Sequence, residues 1–71
     1  MTEAELNEAQ VHAFAKAMIR KLEQAGADGR HGWRTCETHT LRRQLHYCIE
    51  KGDPIDVANY CMMLWYLGEK T

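Results

Sequence analysis

The sequence predicts a small all-α protein of three helices, one long N-terminal helix followed by a tight helical hairpin. Near the start of the chain, apolar residues recur at helical steps: Leu6, Val11, Phe14, Met18, Leu22 and Ala25. The tripeptide Gly52-Asp53-Pro54 is typical of a corner where one helix ends and another begins. No stretch shows the alternation of apolar and polar residues that predicts a half-buried strand. The 71 residues are expected to form one helical domain, 1–71.

The first helix is expected to begin at a capping box. Thr2 and Glu5 have the spacing at which each side chain bonds the backbone N–H of the other residue. Gly26 is the predicted end of the helix, because glycine readily takes the left-handed conformation found there. The helix would then run for about 23 residues, or roughly 35 Å. The glycine-rich stretch that follows is a predicted loop, with Trp33 tucked onto the core.

The second and third helices are expected to meet at the Gly52-Asp53-Pro54 corner. The second helix should begin between Thr35 and Thr40, where threonines offer N-caps. Its predicted buried stripe consists of Leu41, Leu45, Cys48 and Ile49. Asp53 suits the N-cap of the third helix and Pro54 its first turn, where a missing N–H costs nothing. The third helix should run to about Leu67, followed by Gly68.

The third helix carries apolar residues on every side, which is the pattern of a helix that is buried all round. Two other helices cannot cover it completely in a chain this short. Domains of this size also rarely obtain more than about 3–5 kcal/mol of net stability from their own core. We therefore expect a homo-oligomer in which a second copy covers the helix. The expected interface residues are Met62, Met63, Trp65 and Tyr66.

The composition argues against several classes of protein. Nine basic and ten acidic residues leave a net charge of −1, so there is no reason to expect nucleic acid or a membrane surface as a partner. No apolar run reaches the roughly 18 residues that a membrane span requires. The three cysteines, with an acidic and polar N-terminus that has no signal-peptide pattern, predict reduced thiols and a cytoplasmic protein.

Two polar residues interrupt the apolar third helix. Asp56 and Asn59 are three residues apart and therefore share one face. The second helix offers further polar groups: Arg42, Arg43, His46, Tyr47 and Glu50. The tight corner is expected to fold these faces toward each other, which would form a shallow pocket. The alternative carries equal weight: Asp56 stabilises the helix start through the macrodipole, and Asn59 bonds the backbone of a neighbouring segment.

The chain also resembles a known family over residues 14 to 67. The segments FAKAMIRKLEQ, HGW and DVANYCMML occur in this order, with a leucine-containing helix before the last of them. They resemble the small all-α MazG-like nucleotide pyrophosphohydrolases, especially short phage-encoded relatives. In that family one helix carries Glu-Glu-x-x-Glu, and a later helix carries Glu-x-x-Asp running into a segment similar to DVANFAMM. These carboxylates hold Mg²⁺ ions, which bridge the phosphates and activate water.

The resemblance places only some of the family's carboxylates in this chain. Asp56 matches the aspartate of the second motif, and Asp53 stands where its glutamate would be. Glu50 is the remaining carboxylate of the first motif, because His46 and Tyr47 occupy the first two positions. The resemblance therefore implies a weak Mg²⁺ site at most, formed by Glu50 and Asp56, and no required cofactor.

We therefore expect a non-catalytic nucleotide-binding protein on a shortened MazG-like scaffold. The expected ligand-binding residues are Arg42, Arg43, His46, Tyr47 and Asn59. Arginine and imidazole groups can bind phosphate, and an aromatic face can stack on a base, without a metal ion. The phage-type resemblance would fit the sequestration of a nucleotide signal of host defence. Two alternatives remain open: a Mg²⁺-dependent nucleotide pyrophosphohydrolase, and a small oligomeric inhibitor that binds a host protein.

Overall fold

Three α-helices and one short 3₁₀ turn make up the fold. The computed structural model describes all 71 residues. Helix α1 spans Glu3–Ala27, α2 spans Thr38–Lys51 and α3 spans Pro54–Tyr66, with the 3₁₀ turn at Trp33–Thr35 between α1 and α2. The predicted all-α class, with one long helix and a helical hairpin, is therefore confirmed. None of the helices combines the length and the apolar character needed to cross a bilayer.

Helix α1 begins as predicted and ends slightly later than predicted. The Thr2 hydroxyl accepts the Glu5 N–H at 3.2 Å, and the Glu5 carboxylate accepts the Thr2 N–H at 3.0 Å, which completes the capping box. Gly26 lies inside the helix. Gly29 takes the left-handed conformation instead, with φ of 84°. It lets the N–H of Arg30 fold back onto the carbonyl of Ala25 at 2.8 Å, so the helix closes beyond Gly26.

The Gly52-Asp53-Pro54 corner forms as predicted. Gly52 has φ of 78°, and its N–H donates to the carbonyls of Cys48 and Ile49 at 3.0 and 3.1 Å. The Asp53 carboxylate accepts the N–H groups of Ile55 and Asp56 at 3.0 and 3.2 Å. Pro54 is the first residue of α3. Consequently, the connection between α2 and α3 is very short, and the two helices pack against each other.

The start of α2 differs from the prediction that a threonine caps it. Glu37 occupies the N-cap position, and no side chain there bonds a free N–H group of the first turn. The Glu37 carboxylate lies instead 3.2 Å from Nδ1 of His39, and both side chains are largely exposed. Thr38 and Thr40 are already within the helix. The beginning of α2 is therefore held by core packing rather than by a cap.

A small core lies between α2 and α3. Leu41 and Leu45 of α2 pack with Met63 and Leu64 of α3. Met63, one of the four expected interface residues, thus belongs to the interior of the protomer. The prediction that Ile49 is buried is wrong: it is 52% exposed, because it lies at the edge of the apolar stripe of α2.

Helix α1 is supported over only part of its length. Its C-terminal half packs against α3, with Met18 and Leu22 partly buried. In its N-terminal half, the side chains of Leu6, Val11 and Phe14 are exposed, although they belong to the predicted stripe. The protein is accordingly elongated, measuring 42 × 27 × 23 Å. The hairpin is too short to cover the whole of a 25-residue helix.

Two glycine substitutions test the corner. We expect Gly52→Val to lower the free energy of unfolding by at least about 1 kcal/mol, because a β-branched residue resists the left-handed conformation. Gly26→Ala is the matched control, since Gly26 is helical and an added Cβ would have nothing within 4 Å. It should raise the free energy of unfolding by up to about 1 kcal/mol. Denaturant titration measures both, and an unchanged value for Gly52→Val would contradict the corner described above.

Candidate functional site

An open groove lies where the C-terminal half of α1, the connection from α1 to α2, and the hairpin meet. We call it the central groove. Its cationic lining residues are Lys21, Arg30, Arg34 and Lys51. Its aromatic lining residues are Trp33, Tyr47, Tyr60 and Tyr66. Asp56 contributes a carboxylate and Asn59 an amide, while Leu41 and Met63 of the core lie beneath them.

The central groove has a cationic character. Asp56 is the only acidic residue that lines it, against four lysines and arginines. Arg34 and Lys51 form no ion pair with any carboxylate, and Arg30 lies 3.7 Å from an exposed carboxylate, that of Asp28. Positive groups without close partners at the rim of a groove attract anions. The groove therefore favours a negatively charged ligand.

Lys21 holds two carboxylates at one end of the groove. Its ammonium nitrogen lies 3.1 Å from Oδ2 of Asp53 and 3.2 Å from Oδ1 of Asp56. These hydrogen bonds, first to Asp53 and then to Asp56, raise the pKa of Lys21. The pKa of Asp53 is lowered, first by the backbone N–H of Asp56 and then by Lys21. Both carboxylates are thus occupied by an internal cation that ties α3 to α1.

Asn59 is the only polar residue in the buried interior. It is 3% exposed, and its Nδ2 donates to the backbone carbonyl of Met18 in α1 at 3.3 Å. Its Oδ1 is buried and accepts no hydrogen bond from any protein group. A buried acceptor without a donor costs about 1–3 kcal/mol. Asn59 also lines the groove, but its Oδ1 is itself closed to solvent.

The aromatic side chains form the walls of the groove. Trp33 and Tyr66 pack edge to face, with ring centroids 5.4 Å apart and an angle of 85° between the planes. This contact attaches the connection between α1 and α2 to the end of α3, so Trp33 has the anchoring position that the sequence predicted. Lys51 lies over the Tyr47 ring, 5.5 Å from its centroid. Burial raises the pKa of the Tyr60 hydroxyl, which keeps it neutral.

The structure brings together only two of the expected ligand-binding residues. Tyr47 and Asn59 both line the central groove. Arg43 and His46 are exposed on α2 and do not line it. Arg42 is turned toward the C-terminus. Its Nε donates to the backbone carbonyl of Lys70 at 2.8 Å, and its Nη2 donates to the carboxylate of Glu69 at 3.1 Å.

The expected pocket between polar faces of α2 and α3 is therefore not formed. Asp56 and Asn59 point to α1, where they meet Lys21 and Met18. Glu50, the other expected Mg²⁺ ligand, is exposed and lies outside the groove. No three His, Cys, Asp or Glu side chains lie close enough together to hold a metal ion.

The expected ligand-binding residues did not include the cations that line the groove. Arg30 and Arg34 lie in the connection between α1 and α2, and Lys51 is the last residue of α2. Helical periodicity gives no information about residues in an irregular connection. The sequence did contain one indication of these cations: two arginines lie on either side of Trp33. A residue that anchors a loop also fixes the positions of its neighbours.

Comparison of the chain with protein-family models, with curated proteins and with solved structures finds no match. The chemistry of the groove is accordingly given by its own side chains. They offer guanidinium and ammonium groups for an anion and aromatic faces for a planar group. A phosphorylated ligand with a planar part would use both.

The pKa shifts predict how stability depends on pH. The pKa of Asp53 is lower in the folded protein, so its contribution is present at neutral pH and is lost as the pH falls below about 4. The pKa of Lys21 is raised, so its contribution is present at neutral pH and is lost at strongly alkaline pH. We therefore expect the free energy of unfolding to fall both at acidic pH and at strongly alkaline pH.

The substitution Asp53→Asn tests the loss of stability at acidic pH, because asparagine can still cap α3 but does not titrate. In this variant, the loss of stability below about pH 4 should be smaller than in the wild type. Asp28→Asn is the control, since Asp28 is exposed and only loosely paired. Denaturant titrations at several pH values measure the effect. If the free energy of unfolding depends on pH in the same way in the wild type and in Asp53→Asn, then Asp53 does not cause the loss of stability at acidic pH.

Proposed function

We propose that the protein is a non-catalytic nucleotide-binding protein and that the nucleotide lies in the central groove. The observation that carries this proposal is the buried Oδ1 of Asn59, which has no donor within the protein. Nucleobases present N–H donors at their edges, in exocyclic amines and in ring imides. Because Oδ1 is closed to solvent, a base must first displace the side chains that cover it. It would then supply the missing hydrogen bond and fix its own orientation.

The cations at the rim supply the phosphate site. Arg30 and Arg34 stand in the connection after α1, and Lys51 stands at the end of α2, so cations reach the groove from two directions. Arginine can bond two phosphate oxygens at once, whereas lysine acts as a compact charge. A mono- or diphosphate ester at the rim would neutralise charges that have no strong partner in the protein.

The aromatic side chains favour a planar ligand over inorganic phosphate alone. Tyr47 is more than half exposed, and its ring forms part of the groove wall. Tyr60 is partly buried and follows Asn59 directly in α3, whereas Tyr66 is as exposed as Tyr47. A base that donates to Asn59 would be surrounded by these rings. Stacking of a base on an aromatic side chain contributes about 1–3 kcal/mol.

The state of the carboxylates supports binding rather than hydrolysis. In the MazG-like families that the sequence resembles, the carboxylates of the second motif hold Mg²⁺. In this chain, Asp53 and Asp56 hold the ammonium group of Lys21, and Asp53 also caps α3. Sequestration of a nucleotide signal, such as one used in host defence against a phage, would require only binding.

A thermal-shift and calorimetric screen tests the proposal. The probes are nucleoside mono- and triphosphates, cyclic nucleotides and cyclic dinucleotides, each with and without Mg²⁺. We expect at least one nucleotide to raise the Tm without Mg²⁺, since a ligand at a hundredfold excess over Kd adds about 2.7 kcal/mol. Inorganic phosphate should have a smaller effect.

Arg34→Gln and Arg43→Gln form a matched pair for the same screen. Both arginines are exposed and have no ion-pair partner, but only Arg34 lines the groove. Arg34→Gln should weaken nucleotide binding by about 1–3 kcal/mol, the scale of a lost hydrogen bond to a charged group. Arg43→Gln should leave binding unchanged. The reverse pattern would place the ligand on the outer face of α2.

Two other outcomes would replace the proposal. Stabilisation only in the presence of Mg²⁺, together with release of pyrophosphate, would indicate a pyrophosphohydrolase. No response to any nucleotide would leave the binding of another protein as the remaining function. The exposed side chains of Val11 and Phe14 on α1 favour that second candidate.

Asn59→Leu separates binding from stability. Leucine has the same branching as asparagine and removes the buried acceptor, together with the hydrogen bond from Nδ2 to the Met18 carbonyl. We expect nucleotide binding to fall at least tenfold, while the free energy of unfolding changes by less than about 1 kcal/mol or increases. Calorimetry and denaturant titration measure the two quantities. Marked destabilisation with unaltered binding would mean that Asn59 only supports the fold, through its bond to α1.

A further inference from the structure

The hairpin of α2 and α3 is joined by the backbone at one end only. The Gly52 corner connects the two helices there, whereas at the opposite end the start of α2 and the end of α3 are not consecutive in the chain. We call this opposite end the open end of the hairpin. The central groove is lined along α2 from Lys51, at the corner, to Thr40, at the open end. The spacing of the two helices at the open end therefore affects one end of the groove.

Two hydrogen bonds from Arg42 hold the open end together. Nε donates to the backbone carbonyl of Lys70 at 2.8 Å, and Nη2 donates to the carboxylate of Glu69 at 3.1 Å. We call Arg42, Glu69 and Lys70 the clasp. Hydrogen bonds from a guanidinium group to a carboxylate are stronger than those between neutral groups. The clasp is thus a polar attachment between α2 and the residues that follow α3.

A turn after α3 brings the clasp residues back toward α2. Gly68 has φ of 72°, and its N–H donates to the carbonyl of Trp65 at 3.1 Å. The N–H of Glu69 donates to the carbonyl of Leu64 at 2.8 Å, and these two bonds form a Schellman motif. Leu64 belongs to the core, and Leu67 packs against it. The last turn of α3 therefore lies between the core and the clasp.

Tyr66, in that last turn, supports the connection between α1 and α2. Its ring packs edge to face on Trp33, with ring centroids 5.4 Å apart. The hydrogen bond from the side chain of Thr35 to the carbonyl of Gly32 stays within the connection. Packing of Trp33 and Cys36 accordingly attaches the connection to the hairpin.

The end of α3 needs support because helix ends open easily. The last four carbonyl groups of a helix lack partners within it, and terminal turns open at little cost in free energy. Tyr66 is the last residue of α3, and its side chain is 57% exposed. Few contacts of its own therefore oppose fraying. The clasp opposes it by holding the chain beyond α3 against α2.

We propose that Arg42 is a positioning residue of the central groove. Through the clasp it holds the last turn of α3, and with it Tyr66, in the place where Trp33 packs. Arg34 lines the groove and follows Trp33 directly, so the same contact also positions a cation of the groove. Arg42 does not line the groove itself. Its effect on ligand binding rests on the proposed function, whereas its effect on Trp33 does not.

Tryptophan fluorescence of the ligand-free protein tests the positioning. Trp65→Phe leaves Trp33 as the only tryptophan of the chain, and Trp65 is 80% exposed, so this background should remain folded. In it, Arg42→Gln should shift the emission of Trp33 to longer wavelength and increase its quenching by acrylamide, because Trp33 then meets more water. The helical circular dichroism should be retained. Glu69→Gln should give a smaller shift, since the bond to the Lys70 carbonyl remains.

Arg43→Gln in the same background is the matched control. Arg43 is the exposed neighbour of Arg42, and its replacement should leave the emission of Trp33 unchanged. An unchanged emission in Arg42→Gln would overturn the proposal even if the free energy of unfolding falls, because the clasp would then support stability alone. An equal shift in Arg43→Gln would overturn it as well. If Arg42→Gln loses its helical circular dichroism, Glu69→Gln decides, and no shift in that variant overturns the proposal.

A double substitution tests the route through Tyr66. Tyr66→Leu removes the ring contact with Trp33 without altering the clasp, so it should shift the emission of Trp33 on its own. Arg42→Gln added to Tyr66→Leu should then change the emission little, because the two side chains act in series. A full additional shift would show that Arg42 reaches Trp33 by another route, and this would overturn the proposal.

Calorimetry with a nucleotide that stabilises the wild type tests the consequence for binding. Arg42→Gln should raise the Kd by up to about fivefold, which corresponds to the loss of a half-exposed ion pair, although Arg42 lies outside the groove. Arg43→Gln should leave the Kd unchanged. If no nucleotide binds, the proposed function fails, and the emission of Trp33 still decides whether the clasp positions it. If a nucleotide binds and Arg42→Gln leaves the Kd unchanged, the positioning role at the groove is overturned.

Discussion

The carboxylate of Asp53 takes part in both of the local constraints that arrange the three helices: the corner between α2 and α3, and the attachment of α3 to α1. Its Oδ1 accepts two backbone N–H groups at the start of α3, and its Oδ2 accepts the ammonium group of Lys21 in α1. The same side chain therefore begins one helix and attaches it to another. Because α2 ends only two residues earlier, at Lys51, this group helps to position the hairpin relative to α1, together with the core contact of Leu22 and the bond between Asn59 and Met18.

The central groove lies beside these contacts, between the C-terminal half of α1 and the hairpin. With the start of α3 held against Lys21, the next turn of α3 places Asn59 against the backbone of Met18. The hairpin leans on the C-terminal half of α1, and Trp33 closes the other side through its contact with Tyr66. The groove is thus bounded by contacts within the fold, while its rim cations have few partners.

The sequence predicted those parts of the fold whose physical cause is local. The capping box at Thr2 and the corner at Gly52 each depend on a few consecutive residues, and both form as expected. The orientation of Asp56 and Asn59 could not be obtained in this way. Their spacing shows that they share a face, but the neighbour that this face meets depends on the packing of all three helices. The position of Arg34 at the groove was hidden for a similar reason, because it lies in the connection between α1 and α2.

The projecting half of α1 implies an uneven distribution of local stability along the chain. Isolated helices of its length are marginal in water, and this half contributes almost nothing to the core. Its backbone amides should therefore exchange with solvent through local fraying, well before global unfolding, whereas those around Leu45 and Leu64 should exchange only when the whole domain opens. The capping box then has the role of delaying this fraying at the one end of the helix that nothing else supports.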